Sequence, residues 1–237
     1  MGIKIATAKE LNKLLDVLAQ EIIDANIYHR LYLDILGSIS ENRDAFRQSN
    51  TFWHFVLISL NDARVLRLCR IFDKNSKSLN LYGLLEAIKR NIHYFKEDHF
   101  RERLKDNPFV EMLAKENRMP SEEQLDKDIL FASENNPLIK KLTIWRNTII
   151  AHRNVKVSLG QNQILKDNPL GDEEIKTLTD ESFSIFNKYS NLYSAASYSR
   201  KVVGHDDFKS LLKFVNLGLE KWDEDVENEY KKLEQDE

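Results

Sequence analysis

The chain has 237 residues, enough to bury a real core, and only 7 glycines and 4 prolines; so few turn-formers argue against a sandwich or barrel and for helices. Charged residues make up 31% but are mixed in sign, for a net charge of -3. That balance excludes a charge-driven disordered chain and a surface coated in basic charge for duplex binding, while leaving room for a local basic site on RNA.

In chain order, residues 1–10 carry no apolar h-region and no small-residue cleavage site, so a cytoplasmic protein is expected. Thr7 is placed to cap a helix reaching about residue 36, with Glu10 three residues later completing a capping box. Leu11, Leu14, Leu15, Leu18, Ile22 and Ala25 give that helix one apolar face, and Gly37-Ser38 break it. A second helix is predicted from about residue 50 to 73. Phe52, Trp53, Phe55, Val56, Leu57, Ile58 and Leu60 make it apolar nearly all round, so it reads as the central, buried helix. Its longest apolar run, residues 55–60, is too short to span a bilayer, and no membrane segment is expected. Asp62 on this helix is expected to be hydrogen-bonded inside, or alternatively to orient a catalytic side chain. Cys69, the one cysteine, excludes an internal disulfide and a cysteine-based zinc site. Among Leu66, Leu68, Ile71 and Phe72 it reads as a packed core thiol in a reducing compartment.

Residues 74–78 form a polar loop before a third helix over 79–92, carrying Leu81, Leu84, Leu85 and Ile88. The most polar stretch, 94–133, holds two short helices separated by Met119-Pro120-Ser121. Pro137, after Asn136, opens a helix that ends around His152 or Arg153. Residues 155–159 alternate weakly and suggest one short extended segment, followed by a loop over 162–171. Thr179 or Asp180 is placed to cap a helix to about residue 199, and a last helix runs from Asp206 into a charged, frayed tail. With no repeat, low-complexity tract or Ser/Gly linker, the expectation is one all-α domain over 1–237. Its core covers about 8–200, and 206–237 form the C-terminal helix and tail.

One segment carries chemistry. On the helix from Pro137, Leu138, Leu142, Trp145, Ile149 and His152 fall on a four-three-four-three spacing, a core-facing seam in which histidine takes an apolar place. Arg146 and Asn147 lie beside that seam. Such a cluster suits metal-free RNA cleavage. The reaction needs a base for the 2′-hydroxyl proton, an acid for the leaving 5′-oxygen, and a cation on the phosphorane charge. Histidine can act as base or acid near neutral pH, and arginine offers a planar fork for phosphate. On an α-helix the six-residue step sets Arg146 and His152 about 9 Å apart along the axis and about 120° apart around it. One copy is then poorly arranged to grip a phosphate, and two copies across a dyad would supply one cleft. The spacing alone says little. Arginine and histidine with four to six residues between them occur three times, at Arg47/His54, Arg146/His152 and Arg200/His205. Only the middle pair lies within a continuous helical pattern and has Asn directly after Arg.

Arg-Asn-x-x-x-Ala-His on the late helix of an all-α chain resembles the signature of the HEPN superfamily of ribonucleases. The surrounding text is similar to the AbiU-like abortive-infection branch. It includes Phe52-Trp53 opening a buried helix, Arg70-Ile71-Phe72-Asp73 closing it, Ser78-Leu79, and Ala151-His152-Arg153-Asn154. A late helix with Phe186, Tyr189 and Ser190 belongs to the same pattern, and the resemblance spans roughly residues 11–212. It implies a multi-helix HEPN-like bundle with additional helices, and a metal-independent endoribonuclease, dimeric, serving phage defence or a toxin–antitoxin system. It carries over Arg146, Asn147 and His152 as catalytic residues and implies RNA, a second copy and an antitoxin protein as partners. No cofactor and no metal are implied.

Other polar residues have plainer readings. Arg153, and Arg64, Arg67 and Arg70 stepping by three along the second helix, could meet RNA phosphate, although structural pairing, as of Arg67 and Arg70 with Asp73, is the expectation. His93, Glu97 and His99 lack a fourth ligand and read as solvated surface. Trp145 reads as core rather than as a base-stacking platform. The competing functions are a non-catalytic helical module that binds a nucleotide or partner, and a metal hydrolase, which no ligand spacing supports.

Overall fold

The computed structural model describes residues 2–75, 77–150 and 154–235, with side chains through 233. Among these residues there are helices and no strand, so the chain is all-α. The long elements are α1 (Ala8–Ser38), α3 (Asn50–Ile71), α11 (Asp172–Ser194) and α12 (Phe208–Gln235). Between them lie α2 (Arg43–Arg47), α4 (Leu81–Arg90), α5 (Glu97–Arg103), α6 (Val110–Leu113) and α7 (Glu122–Phe131). Then follow α8 (Pro137–Trp145), α9 (Val155–Ser158) and α10 (Gln163–Lys166).

The contacts group into two compact units, residues 1–26 with 62–200, and residues 27–61 with 201–237. Helices α1 and α3 each give part of their length to either unit. In the first unit the α1 face read from the sequence is buried at Leu11, Leu15, Leu18, Ile22 and Ala25. It packs with Val65, Leu68 and Ile71 of α3, with Leu81, Leu84, Leu85 and Ile88 of α4, and with Phe183, Phe186, Tyr189 and Tyr193 of α11. Each such side chain contributes about 1.5–3 kcal/mol when fully buried.

Local chemistry sets the helix ends. The Glu10 N–H donates to Thr7 Oγ1 (3.2 Å), so Thr7 caps α1, while the Glu10 carboxylate accepts from the Ala6 N–H (2.8 Å) rather than from Thr7 itself. Asn80 caps α4 by accepting the Gly83 N–H (2.7 Å). Helix α11 begins about two turns before the expected Thr179, at Asp172, capped by Gly171, whose N–H donates to Glu174 (2.9 Å). Thr179 is mid-helix and donates to the Ile175 carbonyl (2.8 Å). The suggested extended segment is instead the single helical turn α9, because Asn154 accepts the Lys156 N–H (2.9 Å) and nucleates it.

The polar middle of the chain is tied down by buried charges. Asp128 of α7 is 5% exposed and accepts from Tyr189 (2.7 Å), Lys188 (2.6 Å) and Gln124 (3.0 Å). Arg118 is buried and donates to the Leu113 carbonyl (2.6 Å) and the Asn191 carbonyl (3.2 Å). Arg103 donates to the Tyr193 carbonyl (2.7 Å) and lies over the Tyr193 ring, and burial lowers its pKa from the usual guanidinium value.

The second unit has a small core of Ile35, Ala45, Phe46, Trp53, Leu60 and Leu212. The expectation that α3 is buried all round fails here. Phe52 and Phe55 are 57% and 61% exposed, because this half of α3 packs on one face only, through Trp53 and Leu60. Asp62, expected inside, is likewise exposed. Within this unit His205 Nε2 lies 3.0 Å from Asp34, and the Asn216 carboxamide donates to Asn42 (2.9 Å). No helix among the described residues is long and apolar enough to cross a membrane.

Candidate functional site

The site lies in the first unit, where α8 begins at Asn136. Its side chain accepts the Leu138 N–H (2.9 Å), and Pro137 occupies the first turn, where its missing N–H costs nothing. Residues Arg146–Ile150 continue α8 as a π turn. The switch to i→i+5 bonding changes the rotation per residue, so the seam extrapolated from Leu138 and Leu142 does not persist beyond Trp145. Ile149 is 39% exposed and Thr148 is buried. The regular α-helix from which a separation of Arg146 and His152 was expected gives way to this π turn over residues 146–150. His152 and Arg153 lie outside the described residues.

Arg146 is half-buried. Its Nη1 donates to Asp73 Oδ1 at 3.1 Å and its Nε to Asn147 Oδ1 at 3.1 Å, with the Arg146 and Asp73 side chains 27% and 19% exposed. Asp73 Oδ1 also accepts the Asn75 N–H (3.2 Å), which fixes the carboxylate at the end of α3. Below this pair sits the buried Cys69 thiol, pushed up to about 12 by burial, against the Arg146 charge that lowers it and with the Asp73 charge that raises it. Such a thiol is protonated and inert at neutral pH. Asn147 is exposed beside Arg146. Trp145, expected in the core, is half-buried and outside the buried cluster, anchored by its indole N–H donating to the Asn168 carbonyl (2.7 Å).

Sequence spacing assigned Asp73 to the wrong arginines. Arg67 turns to α1, reaching Glu21 (2.8 Å) and Asp24 (3.2 Å), and Arg70 reaches Glu21 (3.4 Å). Asp73 goes to Arg146, 73 residues away. The missed signal is the pair Glu21 and Asp24, three residues apart on α1 and so on one face, which draws the α3 arginines away. Arg64 is buried and reaches the exposed Asp172 at 2.7 Å. Of the candidate RNA-contacting arginines, Arg67 is a quarter exposed and Arg70 is 61% exposed.

Two cavities share Asp73 as a wall. One, of about 340 Å³, is also lined by Phe72, Lys74, Tyr82, Asn135 and Thr143. The other, of about 310 Å³, includes Glu21 and Arg70. No group of three or more His, Cys, Asp or Glu side chains among the described residues could hold a metal ion. His93 and His99 are exposed, and Glu97 pairs with Arg101 (2.8 Å).

The arrangement is a fixed cation beside a carboxamide on a distorted helical turn, next to a cavity with an aromatic and polar lining. No curated protein and no solved structure matches the chain. The model of the HEPN family described as AbiU2 matches residues 8–216, most of the chain and all of the elements that build the site. The chain belongs to the AbiU2 family of HEPN domains.

Proposed function

We propose that this AbiU2-family chain is a metal-independent endoribonuclease of an abortive-infection or toxin–antitoxin system, acting on RNA at a site composed from two copies. His152 takes the proton of a 2′-hydroxyl, the freed O2′ attacks the adjacent phosphorus, and the P–O5′ bond breaks. The leaving 5′-oxygen takes a proton from the second histidine, giving a 2′,3′-cyclic phosphate and a 5′-hydroxyl. Arg146 neutralises the charge that grows on the phosphorane oxygens, and Asn147 positions the arginine and the phosphate. Arg153, Arg67 and Arg70 add phosphate contacts along the strand, and an antitoxin protein restrains the enzyme.

The reading is supported chiefly by one observation: Arg146 is held by Asp73, half-buried and next to an exposed Asn147, on a π turn. Turns of that kind recur at functional sites because the extra residue re-aims side chains. The test is cleavage of single-stranded RNA in EDTA, with end-group analysis of the products. Cleavage leaving cyclic phosphate, abolished in His152→Ala and Arg146→Ala, is expected; unaltered cleavage in His152→Ala would overturn the assignment.

The same Asp73 pairing favours a second reading, a non-catalytic module that binds a nucleotide or partner and uses Arg146 as a structural cation. It predicts no RNA cleavage by the wild-type chain.

A further inference from the structure

We infer that the cavity of about 340 Å³ between the end of α3, the start of α4, and α8 takes one guanine base of the RNA, the base adjoining the phosphate held by Arg146. The inference rests on the nuclease reading for the phosphate and on the cavity's own chemistry for the base.

The volume lies at the lower end of the range for small-molecule sites and admits one base with its ribose rather than two bases. The lining supplies what a flat heteroaromatic ring needs. Tyr82, 37% exposed, and the buried Phe72 are the two aromatic residues among its lining. Stacking on such a ring holds any base, because every base has a π-face. The polar groups then select among bases. Asp73 and Glu134 are acceptors only, and both line the cavity. Guanine presents two adjacent donors, N1–H and the N2 amino group, to a carboxylate. Uracil presents one N–H between two carbonyls, which a carboxylate repels. Lys74, 3.0 Å from Glu134, holds that carboxylate at the rim and offers a donor for guanine O6, as does the exposed Asn135.

Placement ties the cavity to the proposed reaction centre. Thr143 lines the cavity and lies one helical turn before Arg146 and Asn147 on the same helix. Asp73 both walls the cavity and accepts from Arg146 at 3.1 Å. Asp73 thus joins the cavity that would take the base to the Arg146 fork that would take its phosphate.

Calorimetric titration of the full chain with GMP, AMP, CMP and UMP tests the cavity independently of cleavage. GMP is expected to bind about tenfold or more tighter than UMP. Tyr82→Ala weakens GMP by about tenfold, the scale of one lost base–aromatic stack, while Tyr82→Phe leaves it within about twofold. Glu134→Gln lowers the ratio of GMP to UMP affinity. A guanine-containing ribo-oligonucleotide competes with GMP more strongly than GMP itself, since RNA rather than the free nucleotide is the occupant. Equal affinity for all four nucleotides, no GMP binding, or a Tyr82→Ala chain that still melts like wild type and binds GMP undiminished would each overturn the proposal. So would a guanine oligonucleotide that competes no better than GMP. The two readings fail separately. GMP binding without RNA cleavage sinks the nuclease and keeps the cavity; cleavage that ignores base identity, with no GMP binding, does the reverse.

Discussion

Replacing Asp73 by alanine removes the partner of Arg146 and the acceptor of the Asn75 N–H in one step. The pair is 3.1 Å apart with 27% and 19% of its side chains exposed, so it is neither a surface pair nor a dry one. Exposed pairs contribute about 0–1 kcal/mol, and breaking a buried pair costs about 3–5 kcal/mol. An intermediate value of about 1–2 kcal/mol for the pair follows, with up to about 1 kcal/mol more for the lost turn bond. Urea unfolding of wild type, Asp73→Ala, Arg146→Ala and the double variant isolates the pair, because the cycle cancels the Asn75 contribution. The coupling energy is expected at about 1–2 kcal/mol. In RNA cleavage, Asp73→Ala is expected to lower kcat/KM by about tenfold or more, since it misplaces Arg146 and removes an acceptor from the wall of the neighbouring cavity. A coupling energy below about 0.3 kcal/mol would refute the claim that Asp73 holds Arg146.

Three further outcomes follow from other parts of the molecule. Burial raises the Cys69 pKa in the folded chain from 9.0 to about 12. The stability tied to the neutral thiol is then complete below pH 9 and lost as pH climbs toward 12, to about 4 kcal/mol. Cys69→Ala should flatten that decline in alkaline denaturation curves, and a slope identical to wild type would contradict it. Asp128→Ala strands the buried Tyr189 hydroxyl and the Lys188 ammonium, and should cost about 3 kcal/mol in urea unfolding; a loss under about 1 kcal/mol would show the network to be dispensable. On α3, Trp53→Ala should cost about 3–5 kcal/mol, but Phe55→Ser no more than about 0.5 kcal/mol, because Phe55 is 61% exposed. Similar losses in thermal melts would restore the reading of α3 as buried all round.

The long helices were legible because their apolar residues recur at helical spacing over many turns, as in the Leu11 to Ala25 face. The α3 face was not, since a run such as Phe52 to Leu60 has no periodicity to say which side meets water. Only the small core formed by Ile35, Phe46 and Leu212 decides that. Single-turn elements such as α2, α9 and α10 were missed or misread for a related reason: one turn offers no repeat, only a cap such as Asn154. At the site, the residue types and the starting cap at Asn136 could be read. The π turn could not, because nothing in the residue types of 146–150 distinguishes i→i+5 from i→i+4 bonding. The Asp73 partner was hidden because ion pairing between α3 and α1 is settled by tertiary packing, and the nearer arginines are taken by Glu21 and Asp24.

The central claim is metal-independent RNA cleavage that depends on His152 and Arg146. Incubating the full chain and its His152→Ala variant with end-labelled single-stranded RNA in EDTA tests it most directly. The account predicts wild-type fragments ending in 2′,3′-cyclic phosphate and intact RNA with the variant. Intact RNA with both proteins, or the same fragments from both, would contradict it.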